Sequence, residues 1–370
     1  MEFLYEFGLF LLKSITIVAA ILFVIGGIVS SSQRNKSTKT KNKPQGEVTV
    51  TNLTEKYEDM VSNLKHDMHT EYEMKAIAKA EKKQHKEKQK QDKQKTKELA
   101  KQNKGQDSEQ VEKLEQQIEK QHKRLFVLDF NGDIKASEVT NLREEISAIL
   151  SLSSENDEVL IRLESPGGMV HGYGLAASQL RRLRDKGIPL TVAVDKVAAS
   201  GGYMMAVVAN KIVAAPFAII GSIGVIAQLP NFNKLLRKMD VDYEQHTAGQ
   251  YKRTLTIFGE NTDEDRAKFR EELEDTHELF KDFIAENRPE LDLTEVATGE
   301  HWFGSRALEK GLIDEIKTSD DLILDAVKDK EVFEVRYEVP KTLGEKIGMN
   351  MAMTVERLLG RLWSHGQYEK

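Results

Sequence analysis

Apolar and polar positions divide the 370-residue chain into three regimes. Residues 14–33 contain no charged side chain and are built mainly of Ile, Val, Leu, Ala and Phe, and Leu9, Phe10, Leu11 and Leu12 extend the apolar run toward the amino terminus. About 20 such residues cross a hydrocarbon core of roughly 30 Å as a helix. A cleaved signal peptide needs a basic start and a small-x-small site after the apolar run, whereas Glu2 and Glu6 occupy the start and no clear site follows. The pattern therefore predicts an uncleaved transmembrane anchor over residues 8–30, with Lys13 snorkelling outward. Residues 31–124 are the opposite. Twelve Lys and four acids stand between Lys75 and Lys104, with Gln filling much of the remainder. Such a stretch has little to bury, which predicts a charged linker, either one long helix or a disordered spacer. Near its end Val111, Leu114 and Ile118, followed by Leu125, keep the spacing of a short coiled-coil seam.

From Leu125 onward short apolar runs alternate with helical periodicity. Strands are predicted over residues 125–130, 159–163, 190–194, 212–215, 225–229 and 332–338, and helices over 139–152, 174–184 and 263–288. Near-continuous apolar strands separated by helices predict an α/β domain with buried, mostly parallel sheets over residues 125–340. Residues 197–229 imitate a second membrane span. Asn210 and Lys211 interrupt them, and Pro216, Gly221 and Gly224 break any continuous helix, so they read as core strands and a short buried helix. Residues 341–370 form an amphipathic tail in which Leu358, Leu359, Leu362 and Trp363 are apolar; packing on the chain's own domain is the expectation.

Composition narrows the chemistry. The absence of cysteine excludes a thiol nucleophile, a thiolate zinc site and a disulfide framework. The net charge of −6 is unevenly spread: residues 31–124 hold 23 Lys/Arg against 16 Asp/Glu, and everything from Leu125 on carries −12. No aromatic residues interleave with the lysines between Lys75 and Lys104, so this stretch reads as a solvated spacer and no nucleic-acid partner is expected.

Four turns place small residues and glycines where apolar strands end: Ser165-Pro166-Gly167-Gly168, Ala199-Ser200-Gly201-Gly202-Tyr203, Gly221-Ser222-Ile223-Gly224, and the polar loop Gly249-Gln250-Tyr251-Lys252-Arg253-Thr254. Paired glycines let backbone N–H groups turn toward an anion, as an oxyanion hole requires. Ser200, between a strand and a buried helix, resembles a nucleophile elbow although G-x-S-x-G is absent. A serine needs a base. Five of the nine histidines (His66, His69, His85, His122, His365) fall in the linker or tail; His277 lies on the charged helix and His301 beside Trp302, leaving His171 and His246. A lysine is the alternative base, active when burial in an apolar pocket favours its neutral form. On the residues alone, Ser200 with His171 and Ser200 with Lys252 stand level.

The run Asp195-Lys196-Val197-Ala198-Ala199-Ser200-Gly201-Gly202-Tyr203, with Glu164-Ser165-Pro166-Gly167-Gly168 before it and Gly221-Ser222-Ile223-Gly224-Val225 and Ala248-Gly249-Gln250-Tyr251-Lys252 after it, resembles the signal peptide peptidase A family of Ser-Lys serine proteases. The resemblance spans nearly all of residues 125–337. It implies a Clp-protease/crotonase-like α/β spiral assembled into a homo-oligomeric ring, acting on signal-peptide remnants or unfolded protein segments without metal or cofactor. Carried over position by position, it makes Ser200 the nucleophile, Lys252 the general base and Ser222 the residue that holds the lysine amine. The N–H groups of Gly201 and of Gly167 or Gly168 become the oxyanion hole, and His171 loses any proton-transfer role. The bacterial inner membrane is the implied location, single-pass. The basic residues Arg34, Lys36, Lys39, Lys41 and Lys43 after the span point the body to the cytoplasm by the positive-inside rule, whereas the family resemblance points it outward. Two other readings compete: a crotonase-like acyl-CoA enzyme, which also uses glycine-rich oxyanion loops, and a non-catalytic membrane scaffold.

Overall fold

The computed structural model describes residues 46–70, 72, 73, 83, 90, 123–249 and 251–339. The expected anchor over residues 8–30, the expected seam residues 111, 114 and 118, and the expected tail over residues 341–370 lie outside them. Strand β1 (Glu47–Asn52) leads into helix α1 (Leu53–Met68), whose start is capped by Asn52: its side chain accepts from the Glu55 N–H at 3.2 Å. Then follow β2 (Arg124–Asn131), α2 (Val139–Leu152), β3 (Glu158–Glu164), α3 (Val170–Asp185), β4 (Leu190–Val194), β5 (Val197–Ala199), α4 (Gly201–Ala206), β6 (Lys211–Ala214) and β7 (Ile219–Gly221). The remainder is α5 (Asn233–Lys238), α6 (Asp263–Asn287), α7 (Leu293–Val296), β8 (His301–Phe303), α8 (Gly304–Glu309), β9 (Glu315–Ile316), α9 (Ser319–Ala326) and β10 (Glu331–Glu338).

Seven strands form one sheet in the order β1-β10-β2-β3-β4-β6-β9, with every pairing parallel except β1 to β10. Side chains alternate across it, and both faces are covered. Phe126, Leu128 and Phe130 of β2 enter the core that holds Leu142, Ile146 and Ile149 of α2 and Leu180 and Leu183 of α3. Leu125 and Val127 point to the other face, where Leu53, Ile323 and Ala326 cover them. Burial on both sides is why these strands read as unbroken apolar runs. Arg162 of β3 bridges Asp129 of β2 at 2.6 Å and Glu334 of β10 at 2.5 Å, tying three adjacent strands into one register. A small second sheet, β5-β7-β8, stands beside the large one, joined to the end of β3 through the pairing of Ser165 with Ala198.

The mixed α/β architecture with a mostly parallel sheet agrees with the sequence pattern, and α2 falls on the predicted residues 139–152. Residues 197–229 are not a second span: β5, α4, β6 and β7 are largely buried, and no helix among the described residues is long and apolar enough to cross a membrane. Two expectations do not hold. Residues 31–124 are not linker throughout, because Glu47–Asn52 pairs with β10 along its whole length and Leu53 of α1 is buried. Residues 225–229 form no strand; they leave the small sheet at Gly221 with no neighbour to pair with, so their apolar side chains are partly or fully exposed.

One buried carboxyl gives the fold a pH dependence. Glu145 of α2 is 6% exposed and accepts the Tyr337 N–H at 2.8 Å. Burial pushes its pKa from 4.5 up to about 7, against the pull of that N–H, and the nearby Glu138 and Asp129 add to the rise. The folded state thus keeps a proton that the unfolded chain releases near 4.5. The stabilisation from the protonated group is complete below that pH and is lost as pH rises toward 7. Glu145→Gln should match the parent near pH 4 and exceed it by about 1–3 kcal/mol at pH 8 in denaturant unfolding. An equal difference at both pH values would contradict this.

Candidate active site

Ser200 is the single residue between the end of β5 and the start of α4, with φ 52° and ψ −117°. A side chain at positive φ costs on the order of 1–3 kcal/mol and persists where surroundings over-determine it. Here the Ser200 N–H donates to Gly221 O at 2.8 Å, and the Met204 N–H donates to Ser200 O at 2.9 Å. Ser222 repeats the same φ of 52° just after β7, held by its N–H donating to Glu300 O at 2.7 Å. Because β5 and β7 are parallel with Ala199 opposite Gly221, the two serines leave neighbouring strands at the same level.

The turn after β3 forms the third wall. The Ser165 N–H donates to Val197 O at 2.8 Å and the Ala199 N–H to Ser165 O at 3.0 Å, which fastens this turn against β5. Gly167, at φ 87°, packs so tightly that a Cβ there would lie 2.8 Å from both Ser200 Cβ and Gly201 N. Its N–H donates to Ser165 Oγ at 3.1 Å; the Ser165 hydroxyl donates to Tyr173 Oη at 2.6 Å, and the Tyr173 hydroxyl donates to Asp133 O at 2.8 Å. Burial raises the Tyr173 phenol above its ordinary range, so it stays a neutral donor. With the Gly167 N–H committed to Ser165, the N–H groups of Gly168 and Gly201 are the ones that meet no acceptor among the described residues.

Ser200 and Ser222 line one cavity of about 840 Å³ together with Gly167, Gly168 and Gly201. Its far side is apolar, made by Val170, Met204, Ile226, Leu279, Phe280 and Phe283. The contribution of α6 to this wall escaped the sequence reading, in which the helix was only a charged amphipath. The signal was the spacing of Thr276, Leu279, Phe280 and Phe283, which puts them on one helix face.

Lys252 is not brought to this cavity within the chain. It sits exposed in the loop after Gly249 and lines a separate cavity of about 670 Å³ with Tyr243, His246 and Arg253. His171, exposed at the start of α3, and His246, exposed and 3.5 Å from Glu244, do not line the Ser200 cavity either. His277 departs from the solvated position expected of it: it is half-buried and its Nε2 has no hydrogen-bond partner. No group of metal-ligating side chains occurs among the described residues.

Two family models account for most of the chain: Peptidase family S49 N-terminal matches residues 2–180 and Peptidase family S49 matches residues 182–333. The chain belongs to peptidase family S49. The resemblance carried by the Ser165–Gly168, Ser200 and Gly221–Gly224 motifs is thereby borne out, and the protein is a peptidase of serine type. Probable protease SohB of Haemophilus influenzae is 53% identical over 350 residues, covering 94% of this chain and 92% of the relative. Probable protease SohB of Buchnera aphidicola subsp. Schlechtendalia chinensis is 51% identical over 324 residues, 88% of this chain and 99% of its own. A more distant relative, putative signal peptide peptidase SppA of Enterococcus faecium, is 28% identical over 236 residues, 60% of this chain and 68% of its own.

The hydrogen-bonded chain behind Gly167 is open to test. Tyr173→Phe leaves the Ser165 hydroxyl without its acceptor and Asp133 O without its donor. A loss of about 1–3 kcal/mol in thermal stability is expected, together with a fall in peptide turnover as the turn loosens. Wild-type turnover in a destabilised Tyr173→Phe variant would separate this chain from the site.

Proposed function

We propose that the protein is a membrane-anchored serine endopeptidase with Ser200 as nucleophile, Lys252 as general base and Ser222 as the group that orients the lysine amine. The observation that carries the reading is the strained Ser200, pressed against Gly167 and opening with the Gly168 and Gly201 N–H groups onto one apolar cavity. In the first step Ser200 Oγ bonds to the scissile carbonyl carbon while its proton passes to the neutral Lys252 amine. The carbonyl oxygen takes the negative charge between the N–H groups of Gly168 and Gly201, each such donor being worth about 3 kcal/mol of transition-state stabilisation. Collapse breaks the C–N bond, the Lys252 ammonium returns its proton to the leaving amine, and water then cleaves the acyl-serine by the same path. The apolar far wall suits peptides with apolar side chains, in keeping with signal-peptide remnants or unfolded segments as substrates. Residues 8–30 anchor the chain in the bacterial inner membrane, and the body takes a crotonase-like spiral form.

Lys252 reaches Ser200 in an assembly of several copies, as in a homo-oligomeric ring. What supports this is the arm that carries the lysine. None of the described residues between 225 and 262 is buried. The arm is nonetheless held together locally: Asn231 Nδ2 donates to Thr256 O at 2.9 Å, and Phe258 packs on Phe232 and Tyr243 with ring centroids 6.2 Å and 5.8 Å apart. Ile226, Leu235, Met239 and Tyr251 remain more than half exposed, an apolar surface suited to a neighbouring subunit.

Ser200→Ala and Lys252→Ala should each abolish peptide hydrolysis while leaving folding and assembly intact. When the two inactive variants are co-expressed, a neighbour-supplied lysine pairs an intact Ser200 with an intact Lys252 in about a quarter of randomly mixed contacts. Activity should return to that order. Mixed assemblies as inactive as the separate variants would place both groups of each dyad in one chain, and a near wild-type rate for Ser200→Ala would remove the nucleophile.

A further inference from the structure

Helix α1 carries an apolar stripe that runs off the body. Leu53 is buried and Tyr57 packs beside it in the core under β2 and β10, but further along Met60, Val61, Leu64 and Met68 are 50, 49, 60 and 79% exposed. These residues recur at three- and four-residue steps, the pattern of a helix face that packs on another helix. Its flanks are net acidic, with Glu55, Glu58, Asp59 and Asp67 against Lys56 and Lys65, so it is not a cationic lipid-binding face.

The return of the chain says what covers it. The Val332 N–H donates to Thr54 Oγ1 at 2.9 Å, and the Glu331 N–H donates to Lys123 O at 3.0 Å. The outgoing helix and the incoming segment therefore meet the body at adjacent residues of β10. Counting outward from that point, Leu64 is ten residues beyond Thr54 and Leu114 nine residues before Lys123. Met60 is level with Ile118 and Met68 with Val111, to within two residues. One opposite-charge pair falls in the same register, Lys65 and Glu112, each eleven residues out. Lengths agree as well. Helix α1 ends at Met68, where His69 turns extended. On the incoming side Gly105 is followed by Asp107-Ser108-Glu109-Gln110, a helix-start signal that leaves 16 residues from Ser108 to Lys123, as many as α1 has.

We propose that residues 108–122 dock antiparallel on the exposed stripe of α1, with Ile118, Leu114 and Val111 against Met60, Leu64 and Met68, forming a two-helix arm rooted on β10. Two such helices of 16 residues extend about 24 Å. The arm presents the intervening Lys-rich residues 75–104 at its far end, away from the sheet.

Because the chain has no cysteine, introduced thiols report unambiguously. The full-length protein carrying Leu64→Cys with Leu114→Cys, or Met68→Cys with Val111→Cys as an independent pair, is oxidised and run on a non-reducing gel. A cross-linked monomer is expected in at least about ten-fold greater yield than with Ser62→Cys and Gln116→Cys on the outer faces, since disulfides need Cα atoms within about 7 Å. Cross-linked dimers from Leu64→Cys alone would assign the stripe to a second copy and overturn the proposal. Equal yields from seam and outer-face pairs, or none from either seam pair, would overturn it as well.

Discussion

Gly167 lies so close to Ser200 and Gly201 that a Cβ there would come within 2.8 Å of both, and the geometry around the serine follows from this approach. It forces glycine at 167, fixes the end of the β3 turn against β5, and leaves Ser200 no room to relax from φ 52°. The cost of that backbone is met by bonds from three directions: Gly221 O on the Ser200 N–H, the α4 turn on its carbonyl, and the Ser165–Tyr173–Asp133 chain behind Gly167. The same chain occupies the Gly167 N–H, which leaves the Gly168 N–H to pair with that of Gly201 at the cavity.

The large sheet supplies the rigidity this arrangement needs. Its central strands are apolar on both faces, and Arg162 locks β2, β3 and β10 against sliding. A one-residue slip of β3 would move Ser165 and both glycines to the wrong face of the turn. The elements that hold the serine are therefore the most buried ones, whereas none of the described residues of the arm that carries Lys252 is buried. In the proposed mechanism Lys252, carried on such an arm, meets Ser200 through assembly, which is how the proposed dyad differs from a preformed one.

Much of this was legible in the chain. Residues 139–152 and 190–194 were placed to the residue because their periodicity is enforced by a core on one or both sides. The Ser200 region was legible because tight backbone approach admits only small residues, and Ser165-Pro166-Gly167-Gly168 and Ser200-Gly201-Gly202 write that constraint openly. Three features were not. Strand β1 hid in a charged region because an edge strand whose six residues are all exposed has no apolar run to announce it. Residues 225–229 read as a strand because apolar side chains that face solvent, or a partner subunit, look like core ones. The separation of Lys252 from Ser200 depends on how a long exposed loop is placed, which local pattern does not encode.

Ser200 is the residue proposed to be acylated, and covalent labelling tests that most directly. The full-length protein is treated with a serine-directed phosphonylating probe, digested, and the adduct located by mass spectrometry. A single adduct on the peptide containing Ala199-Ser200-Gly201, absent from Ser200→Ala, is the predicted result. An adduct on another serine, or unchanged labelling of Ser200→Ala, would contradict it.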